Sequence, residues 1–484
     1  MSGSARFVPR ECPASSPAVP NSLKKARCGL LVVPENWANP RGPKISLPVM
    51  IVASAAARPA PDPIVFFYGG PGGDAVLQAG DLVKAGLNRD RDIVLMSQRG
   101  TFSSQPSLYC PEIFRFNNET VGRVLLSPST RRLYVAAVTE CRRRLDSSGI
   151  NLADYNTTQS ADDYAALRVA LGIRQWNVLA HSYGTDLALT YMREHPQGIR
   201  SVALDGVTPP SVASPGWTWS SLKEGFDSII RACAAQRRCR ARYPHVAATF
   251  TRLVIRLQAH PVTTTVRLPD SARPVRVVLD GATLVNWLVP ASHDAKDLPR
   301  AIYELADGNP QLVAESWAAT RVTPPDQPPP FSWGLSFSVW CSEWVPYETA
   351  SAQLAAGRRA FPAFPAPVLT QAPQLTFLRA ACRAWNVPKA PRSIRAITRS
   401  AIPTLAITGS FDTQTGAQWG HYAARTLSRS IVVTLPGVAH GAYYNSCGAS
   451  VITSFFGRPQ APDTRCVASL QPPRFTIGPI GAVQ

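Results

Sequence analysis

Short apolar runs alternate with segments of helical spacing along two parts of the chain. The run at residues 176–180 follows a helical pattern that includes Tyr164 and Leu167, and it precedes another that includes Leu187 and Tyr191. Uninterrupted apolar strands separated by helices are typical of a parallel sheet that is covered on both faces. We therefore predict an α/β fold with a mostly parallel sheet, whose strands lie near residues 64–68, 92–96, 176–180, 200–206, 402–409 and 430–435.

The alternation stops at Pro209–Pro210 and resumes near residue 401. Between these points the pattern is helical and interrupted by proline, and the region holds eight of the eleven tryptophans. We predict that residues 1–210 and 401–484 form one domain, and that residues 211–400 form a large, mainly helical cap inserted into it. The tryptophans either line a pocket of this cap or form its own core, and we expect the core for most of them.

The turn around Ser182 is a candidate catalytic element. Ser182 follows the apolar run at 176–180, has small residues two positions before and after it, and precedes a helical pattern. This arrangement is typical of a sharp strand-to-helix turn that presents a serine hydroxyl at the edge of a parallel sheet. Ala180 and Gly184 suit such a turn because larger side chains would collide with the backbone. The alternative is a chance match in a loop.

A glycine cluster at Gly69–Gly73 follows the predicted strand at 64–68. Glycine permits a tight exit from a strand and leaves backbone N–H groups free to face a ligand. We predict that the N–H groups of Gly70 and Tyr183 form an oxyanion hole, because Pro71 has no N–H. The alternative is an ordinary Gly-Pro turn.

A serine nucleophile requires a base and an acid that orients the base. Asp412 and His440 each follow a predicted apolar strand, and the chain order Ser182, Asp412, His440 is the order expected of a triad in this class of sheet. Loops that follow parallel strands meet at one edge of the sheet, so we predict that these residues form a catalytic triad. Asp205 is the alternative acid, although we expect it to accept hydrogen bonds from turn amides. His181 is expected to point away from the serine.

Composition and charge exclude several function classes. The formal net charge is +19, from 50 basic and 31 acidic residues. The basic residues are scattered, and the sequence has no nucleic-acid-binding motif, so we expect no nucleic-acid partner. No apolar run is long enough to cross a membrane. Zinc-type cysteine doublets are absent, and we expect neither a metal nor a cofactor.

The cysteines and the N-terminus are the sequence features from which we predict the cellular compartment. Ten cysteines fit five disulfides and an oxidising compartment, whereas the alternative is buried free thiols in a cytosolic enzyme. The residues after Met1 have no apolar export signal, so we expect a secreted or periplasmic protein from which the export segment has been removed. Spacing favours the local pairs Cys12–Cys28, Cys110–Cys141, Cys233–Cys239, Cys341–Cys382 and Cys447–Cys466.

Six motifs within residues 64–210 and 400–456 belong together. They are Gly69–Gly73, Gln98–Arg99–Gly100–Thr101, Ser182–Tyr183–Gly184–Thr185, Leu204–Asp205–Gly206–Val207, Gly409-x-x-Asp412 and His440–Gly441. Jointly they resemble the secreted tripeptidyl aminopeptidase and proline iminopeptidase group of the α/β-hydrolase superfamily. Ala180 stands where relatives have glycine, Ser97 stands where they have aspartate, and Thr413–Gly416 lacks their proline.

The resemblance implies an α/β-hydrolase fold and serine peptidase chemistry at free N-termini without a cofactor. It also implies a cap whose carboxylates bind the substrate ammonium, and Glu343 is our candidate for this role, with a structural glutamate as the alternative. We expect a monomeric, exported aminopeptidase that releases one to three residues through an acyl-enzyme. The alternatives are a carboxylesterase or lipase-like hydrolase with the same triad, and a non-catalytic binding protein whose triad is not assembled.

Overall fold

The computed structural model of the protein describes residues 5–12, 21–269, 273–324 and 329–478. Residues 1–4 and most of the proline-rich stretch at 324–330 lie outside the described residues. A nine-stranded sheet forms the centre of the main domain, and a two-stranded sheet lies in the insertion. The strands are β1 Arg6–Arg10, β2 Arg27–Pro34, β3 Lys44–Val52, β4 Ile64–Phe67, β5 Ile93–Met96, β6 Trp176–His181, β7 Ile199–Asp205, β8 Val262–Val266, β9 Val275–Leu279, β10 Thr404–Gly409 and β11 Ser430–Leu435.

The large sheet is mostly parallel, as predicted. Its strand order is β1-β2-β3-β5-β4-β6-β7-β10-β11. Pairings from β5 through β4, β6, β7 and β10 to β11 are parallel, and those among β1, β2, β3 and β5 are antiparallel. Strands β4, β5, β6 and β10 are buried along their whole length, which accounts for their uninterrupted apolar sequences.

Helices cover both faces of this sheet. Those before the insertion are α1 Asn21–Lys24, α2 Ala79–Lys84, α3 Pro111–Thr120, α4 Pro128–Ser147, α5 Thr157–Ala170 and α6 Tyr183–Glu194. Those in the insertion are α7 Trp217–Ala235, α8 Arg237–Arg242, α9 Val246–Ala259, α10 Gly281–Ala291, α11 Leu298–Ala306, α12 Gln311–Ala319, α13 Trp333–Val339, α14 Ala350–Ala360, α15 Ala366–Leu369 and α16 Leu378–Trp385. Those after it are α17 Gln418–Ala424, α18 Ser446–Gly457 and α19 Arg465–Ser469.

The insertion between β7 and β10 is mainly helical and has its own apolar core. Trp219 and Trp287 are buried in that core together with Phe250, as expected for tryptophans of this region. The hairpin of β8 and β9 was not predicted. A second apolar cluster joins α3 and α4 of the main domain to α13 and α16, so the cap also packs on a segment that precedes β6.

Five disulfides stabilise the chain, and all five predicted pairs are present. They are Cys12–Cys28, Cys110–Cys141, Cys233–Cys239, Cys341–Cys382 and Cys447–Cys466. Each links residues that are close in sequence, with separations from 6 to 41. Within the described ranges, none of the helices combines the length and apolar character needed to cross a bilayer.

Candidate active site

Ser182 lies in the sharp turn between β6 and α6. Its backbone has φ 58° and ψ −129°, a conformation that side-chain-bearing residues adopt rarely and that is held by surrounding structure. A Cβ atom on Gly69 would lie 2.5 Å from the Ser182 Cβ, and one on Gly184 would collide with the Phe67 carbonyl. The crowding predicted for this turn is therefore confirmed, and it explains why small residues surround the serine.

His440 and Asp412 follow adjacent parallel strands, and the structure brings them together. Nδ1 of His440 lies 2.8 Å from Oδ2 of Asp412. Burial favours the neutral imidazole, but the charge and hydrogen bond of Asp412 outweigh burial and raise the pKa of His440 above its ordinary value. The structure thus holds a carboxylate against the ring nitrogen that is remote from a substrate in serine hydrolases.

Asp412 is fixed by the turn that follows β10. Its Oδ1 accepts hydrogen bonds from the backbone N–H groups of Gln414 and Thr415 at 2.8 Å each, and its Oδ2 accepts one from Thr415 Oγ1 at 2.6 Å. Burial alone would raise the pKa of Asp412, yet His440 and these hydrogen bonds hold it well below the usual range. Asp412 is therefore a permanent anion at neutral pH.

Asp205, the alternative acid, has a different set of contacts. Its carboxylate accepts hydrogen bonds from the backbone N–H groups of Ala442 and Tyr443, at 2.9 and 3.0 Å. These residues follow His440 after Gly441, so Asp205 fixes the loop that carries the histidine. Asp205 therefore accepts hydrogen bonds from backbone amides of a turn, as we expected from the sequence.

Ser182 and His440 line one cavity between the sheet edge and the insertion. Its volume is about 390 Å³. This size suits a small molecule or a short peptide segment. The residues that line it are Tyr68, Gly69, Gly70, Gly73, His181, Ser182, Asn286, Pro290, Trp317, Thr320, Arg321, Phe331, Trp333, Trp340, Gln374, Leu375, Gln414 and His440.

The glycine loop after β4 forms part of the cavity wall. Gly70 has φ 119°, in the region that favours glycine, and a Cβ atom there would lie 2.8 Å from the N of Gly72. The insertion fixes this loop, because the N–H of Ser332 donates to Gly72 O at 2.9 Å and Ser336 Oγ donates to Pro71 O. Two elements far apart in sequence therefore shape the wall next to Ser182.

Tyr183, the other predicted oxyanion residue, begins α6. The first N–H groups of a helix have no acceptor inside the helix, so the N–H of Tyr183 is not used by a hydrogen bond within α6. Its phenol oxygen lies 2.8 Å from Thr157 Oγ1, which anchors the side chain beneath the turn. The position of the N–H relative to Ser182 is thus fixed from both ends of the residue.

The structure does not bring Glu343 to the cavity. Glu343 is buried in the short π-helical segment Trp340–Trp344, and both of its carboxylate oxygens are used. They accept hydrogen bonds from Thr157 N at 2.8 Å and from Thr157 Oγ1 at 2.6 Å. Burial raises the pKa of Glu343 to about 7. In this position the side chain braces the start of α5 and, through Thr157, the Tyr183 phenol.

His181 does line the cavity, contrary to the expectation that it points away from the serine. Its ring centroid lies 4.6 Å from that of His440, and it also packs against Tyr68 and Tyr443. Burial, together with the nearby His440, lowers the pKa of His181, so it is neutral at physiological pH. Tyr68 and Tyr443 come from segments distant in sequence, so sequence spacing carries no signal for these contacts.

Several cavity residues were not singled out in the sequence. Trp317, Trp333 and Trp340 line the cavity, although Trp317 and Trp340 also belong to the two apolar clusters of buried residues. Arg321 and Phe331 lie on either side of the proline-rich stretch and line it as well. The clustering of tryptophans in the insertion indicated that some of them could line a pocket. Nothing in the sequence distinguished these three from the others.

Two family models match parts of this chain. The model of a family described as "alpha/beta hydrolase fold" matches residues 62–315, which is more than half of the chain. The chain belongs to the α/β-hydrolase family. A second family, described as "TAP-like protein", matches residues 367–467, which contain Asp412 and His440. The fold class and the resemblance predicted from the sequence are therefore confirmed.

Relatives of this α/β hydrolase include peptidases. It is 26% identical to serine protease Hip1 of Mycobacterium tuberculosis over 247 residues, which cover 47% of this chain and 45% of the relative. It is 28% identical to the tripeptidyl aminopeptidase of Streptomyces coelicolor over 202 residues, which cover 40% of this chain and 37% of the relative. It is 26% identical to putative hydrolase YuaR of Escherichia coli over 259 residues, which cover 50% of each chain. The matches thus span half or less of the length of these relatives.

Solved structures resemble the fold at low identity. Proline iminopeptidase of Mycobacterium smegmatis matches with a TM-score of 0.38 and 14% identity, over 86% of this chain and 96% of that one. The relatives of this α/β hydrolase thus include a serine protease and an aminopeptidase. The five disulfides are typical of an extracellular or cell-envelope protein.

Proposed function

We propose that this α/β hydrolase is an exported serine aminopeptidase that releases one to three residues from peptide N-termini through an acyl-enzyme. One observation carries the catalytic part of the proposal. Ser182, in its strained turn, lines the same cavity as His440, whose Nδ1 is held 2.8 Å from Asp412. The peptide specificity is supported by the tripeptidyl aminopeptidase relative and by the TAP-like match over the C-terminal region.

In the proposed mechanism, the Ser182 hydroxyl attacks the carbonyl carbon of the scissile bond. Nε2 of His440 accepts the hydroxyl proton and then donates it to the leaving amine, which departs as the acyl-enzyme forms. Water then attacks the acyl carbon, His440 accepts a proton from that water, and the proton returns to Ser182 Oγ as the acid product leaves. Asp412 keeps the Nδ1 proton in place and stabilises the imidazolium that forms in each step.

The developing oxyanion is stabilised by backbone N–H groups in this proposal. The donors are the N–H of Tyr183, at the start of α6, and the N–H of Gly70 in the glycine loop. Loss of one such donor typically costs about 3 kcal/mol of barrier. Contacts of Ser332 and Ser336 with the glycine loop support its rigidity, which lets the donors be in place before the charge develops.

Hydrolysis of acyl esters is the second candidate, and one feature of the cavity favours it. Among the described residues that line the cavity, none is aspartate or glutamate, and Glu343 is occupied by Thr157. An aminopeptidase of this group is expected to bind the substrate ammonium with carboxylates. The same Ser182, His440 and Asp412 would serve an ester, since only the leaving group differs.

A substrate panel separates the two candidates. It contains aminoacyl and tripeptidyl p-nitroanilides with free and with acetylated N-termini, and p-nitrophenyl esters of short acids. The proposal expects hydrolysis of the free amides, weaker hydrolysis of the acetylated ones and no turnover by Ser182→Ala, whose thermal unfolding should match the wild type. Hydrolysis of the esters alone would replace the peptidase assignment by the esterase one, and unchanged activity in Ser182→Ala would overturn the mechanism.

A further inference from the structure

Arg321 lies in the wall of the catalytic cavity and has no ion-pair partner among the described residues. It follows α12, and Arg321 and Trp317 line the cavity together with Ser182. The guanidinium stacks on the Trp317 ring, with its carbon 4.2 Å from the ring centroid. Stacking of this kind holds a guanidinium plane in one orientation and leaves its edge free for a planar anion.

The hydrogen bonds of Arg321 leave most of its donors unused. A guanidinium has five N–H groups, and the side chain makes one long contact, 3.4 Å from Nη1 to Asn117 Oδ1. In the part of the chain that the structure describes, no carboxylate forms an ion pair with Arg321. The phenol of Tyr134 is the ionisable group that interacts electrostatically with Arg321. Burial raises the pKa of that phenol, so the phenol is neutral.

The surroundings make this unpaired charge costly. Burial lowers the pKa of Arg321 to about 10, so the residue is still a cation at neutral pH. A partly buried charge without a counter-ion destabilises a fold unless a ligand or another group compensates it. The described lining of the cavity offers amides at Asn286, Gln374 and Gln414 but no acidic side chain. Arg321 is therefore the permanently charged side chain among the described residues that line the cavity, with the neutral amides as further hydrogen-bond partners.

We propose that Arg321 binds a carboxylate of the substrate, so that the enzyme prefers substrates that carry an anionic group apart from the scissile carbonyl. An acidic side chain of a peptide and the free carboxylate of a dicarboxylic monoester both present this chemistry. A carboxylate can accept two parallel hydrogen bonds from the guanidinium edge, which is the geometry that arginine provides and lysine does not. The proposal rests on the proposed hydrolase function for its catalytic readout.

The test compares substrates that differ only in one charge. The pairs are p-nitrophenyl glutarate with p-nitrophenyl glutaramate, and N-terminal Glu with N-terminal Gln p-nitroanilides. Because a charge-assisted bidentate contact is strong, we expect a ratio of kcat/KM, anionic over neutral, of about 10 to 100 in the wild type. Arg321→Met should lower this ratio to about one or below, and Arg321→Lys should retain an intermediate ratio.

Two control variants distinguish a local contact from a general charge effect. Arg358→Met removes one exposed positive charge outside the cavity and should keep the wild-type ratio. Asp326→Asn removes the acidic residue that follows Arg321 most closely in sequence, and it should keep the preference too. A wild-type ratio near one, an unchanged ratio in Arg321→Met, or loss of the preference in either control would overturn the proposal.

Direct binding separates failure of this inference from failure of the proposed function. Calorimetric titration with glutaramate, which carries one carboxylate, and with glutaramide, which is neutral, needs no turnover. The inference expects glutaramate to bind the wild type at least about 10-fold more tightly than glutaramide, with the difference lost in Arg321→Met. If no substrate is hydrolysed but this difference is present, the proposed function fails and the anion site stands. Equal binding of both compounds to the wild type contradicts the anion site whatever the activity.

Discussion

Replacement of Asp412 by asparagine isolates what the charge of the acid contributes. The substitution keeps the size of the side chain and the acceptor for the turn amides of Gln414 and Thr415. It removes the negative charge 2.8 Å from His440 Nδ1, and the new amide group presents N–H donors where the ring needs an acceptor. His440 is then expected to adopt the tautomer that cannot accept the serine proton.

Two magnitudes follow from this change. Loss of the correct tautomer in such a triad lowers kcat about 10⁴-fold, which corresponds to about 5 kcal/mol of barrier. The second effect concerns pH. In the wild type, Asp412 raises the pKa of His440 above its ordinary 6.5, and catalysis needs the neutral ring, so kcat/KM rises with pH through a value above 6.5. Without the carboxylate, burial dominates and this limb moves to lower pH.

The assay is the pH profile of kcat/KM between about pH 5 and pH 9 for the wild type and both aspartate variants. Asp205→Asn is the matched control, because it removes the other buried carboxylate near the histidine and leaves the Asp412 contact intact. We expect Asp205→Asn to keep most of the raised limb, because the charge of Asp205 raises the pKa of His440 less than Asp412 does. The reasoning is refuted if Asp412→Asn retains wild-type kcat, or if the large loss and the shifted limb belong to Asp205→Asn instead.

Two further predictions concern stability. Burial raises the pKa of Glu343 from 4.5 to about 7, so the folded state binds more protons than the unfolded state between these values and wild-type stability falls as pH rises through them. Glu343→Gln should reduce this pH-dependent loss of unfolding free energy by up to about 3 kcal/mol. Urea unfolding at low and high pH measures the loss in both proteins, and the same pH dependence in wild type and variant would contradict the prediction. The buried Asp163 accepts hydrogen bonds from Arg99 at 2.7 and 2.8 Å, and the same guanidinium bonds to the carbonyls of Glu35 and Asp154. Asp163→Asn leaves that charge unpaired and should lower the free energy of unfolding by about 3–5 kcal/mol, and a loss below about 1 kcal/mol would show that the pair is not needed.

The features that the sequence predicts well are those encoded by local patterns. Strands β4, β5, β6 and β10 are buried on both faces, so their apolar runs are uninterrupted and easy to locate. The turn at Ser182 requires small neighbours for steric reasons that act over a few residues. The five disulfides join cysteines that are near one another in sequence, so their pairing was also accessible.

The features that were missed depend on packing between distant segments. Glu343 was the candidate for the substrate ammonium because the family resemblance implies carboxylates in the cap, but its partner Thr157 lies 186 residues away and makes it the structural glutamate of the alternative. His181 lines the cavity and packs against Tyr68 and Tyr443, which are distant from it in sequence. The hairpin of β8 and β9 escaped notice because its first strand has the short, half-exposed sequence Val-Thr-Thr-Thr-Val inside an otherwise helical region.

The bracing of the loop after β5 shows how a departure from the family pattern is accommodated. The family resemblance leads us to expect aspartate at position 97, and the hydroxyl of Ser97 donates to Asp74 Oδ1 at 2.6 Å. The other oxygen of Asp74 accepts the N–H of Ser103 at 2.8 Å. A carboxylate from the glycine loop thus supplies the acceptor for this turn, an exchange that cannot be predicted without knowing that the two loops meet.

The central claim is that Ser182 is an activated nucleophile, and covalent labelling tests it most directly. The folded protein is treated with a fluorophosphonate probe near neutral pH, digested and mapped by mass spectrometry. We expect a single adduct on the peptide that contains Ser182, none in Ser182→Ala, and much slower labelling in His440→Ala. A wild-type protein that is folded and remains unlabelled, or that is labelled at another serine, would contradict the account.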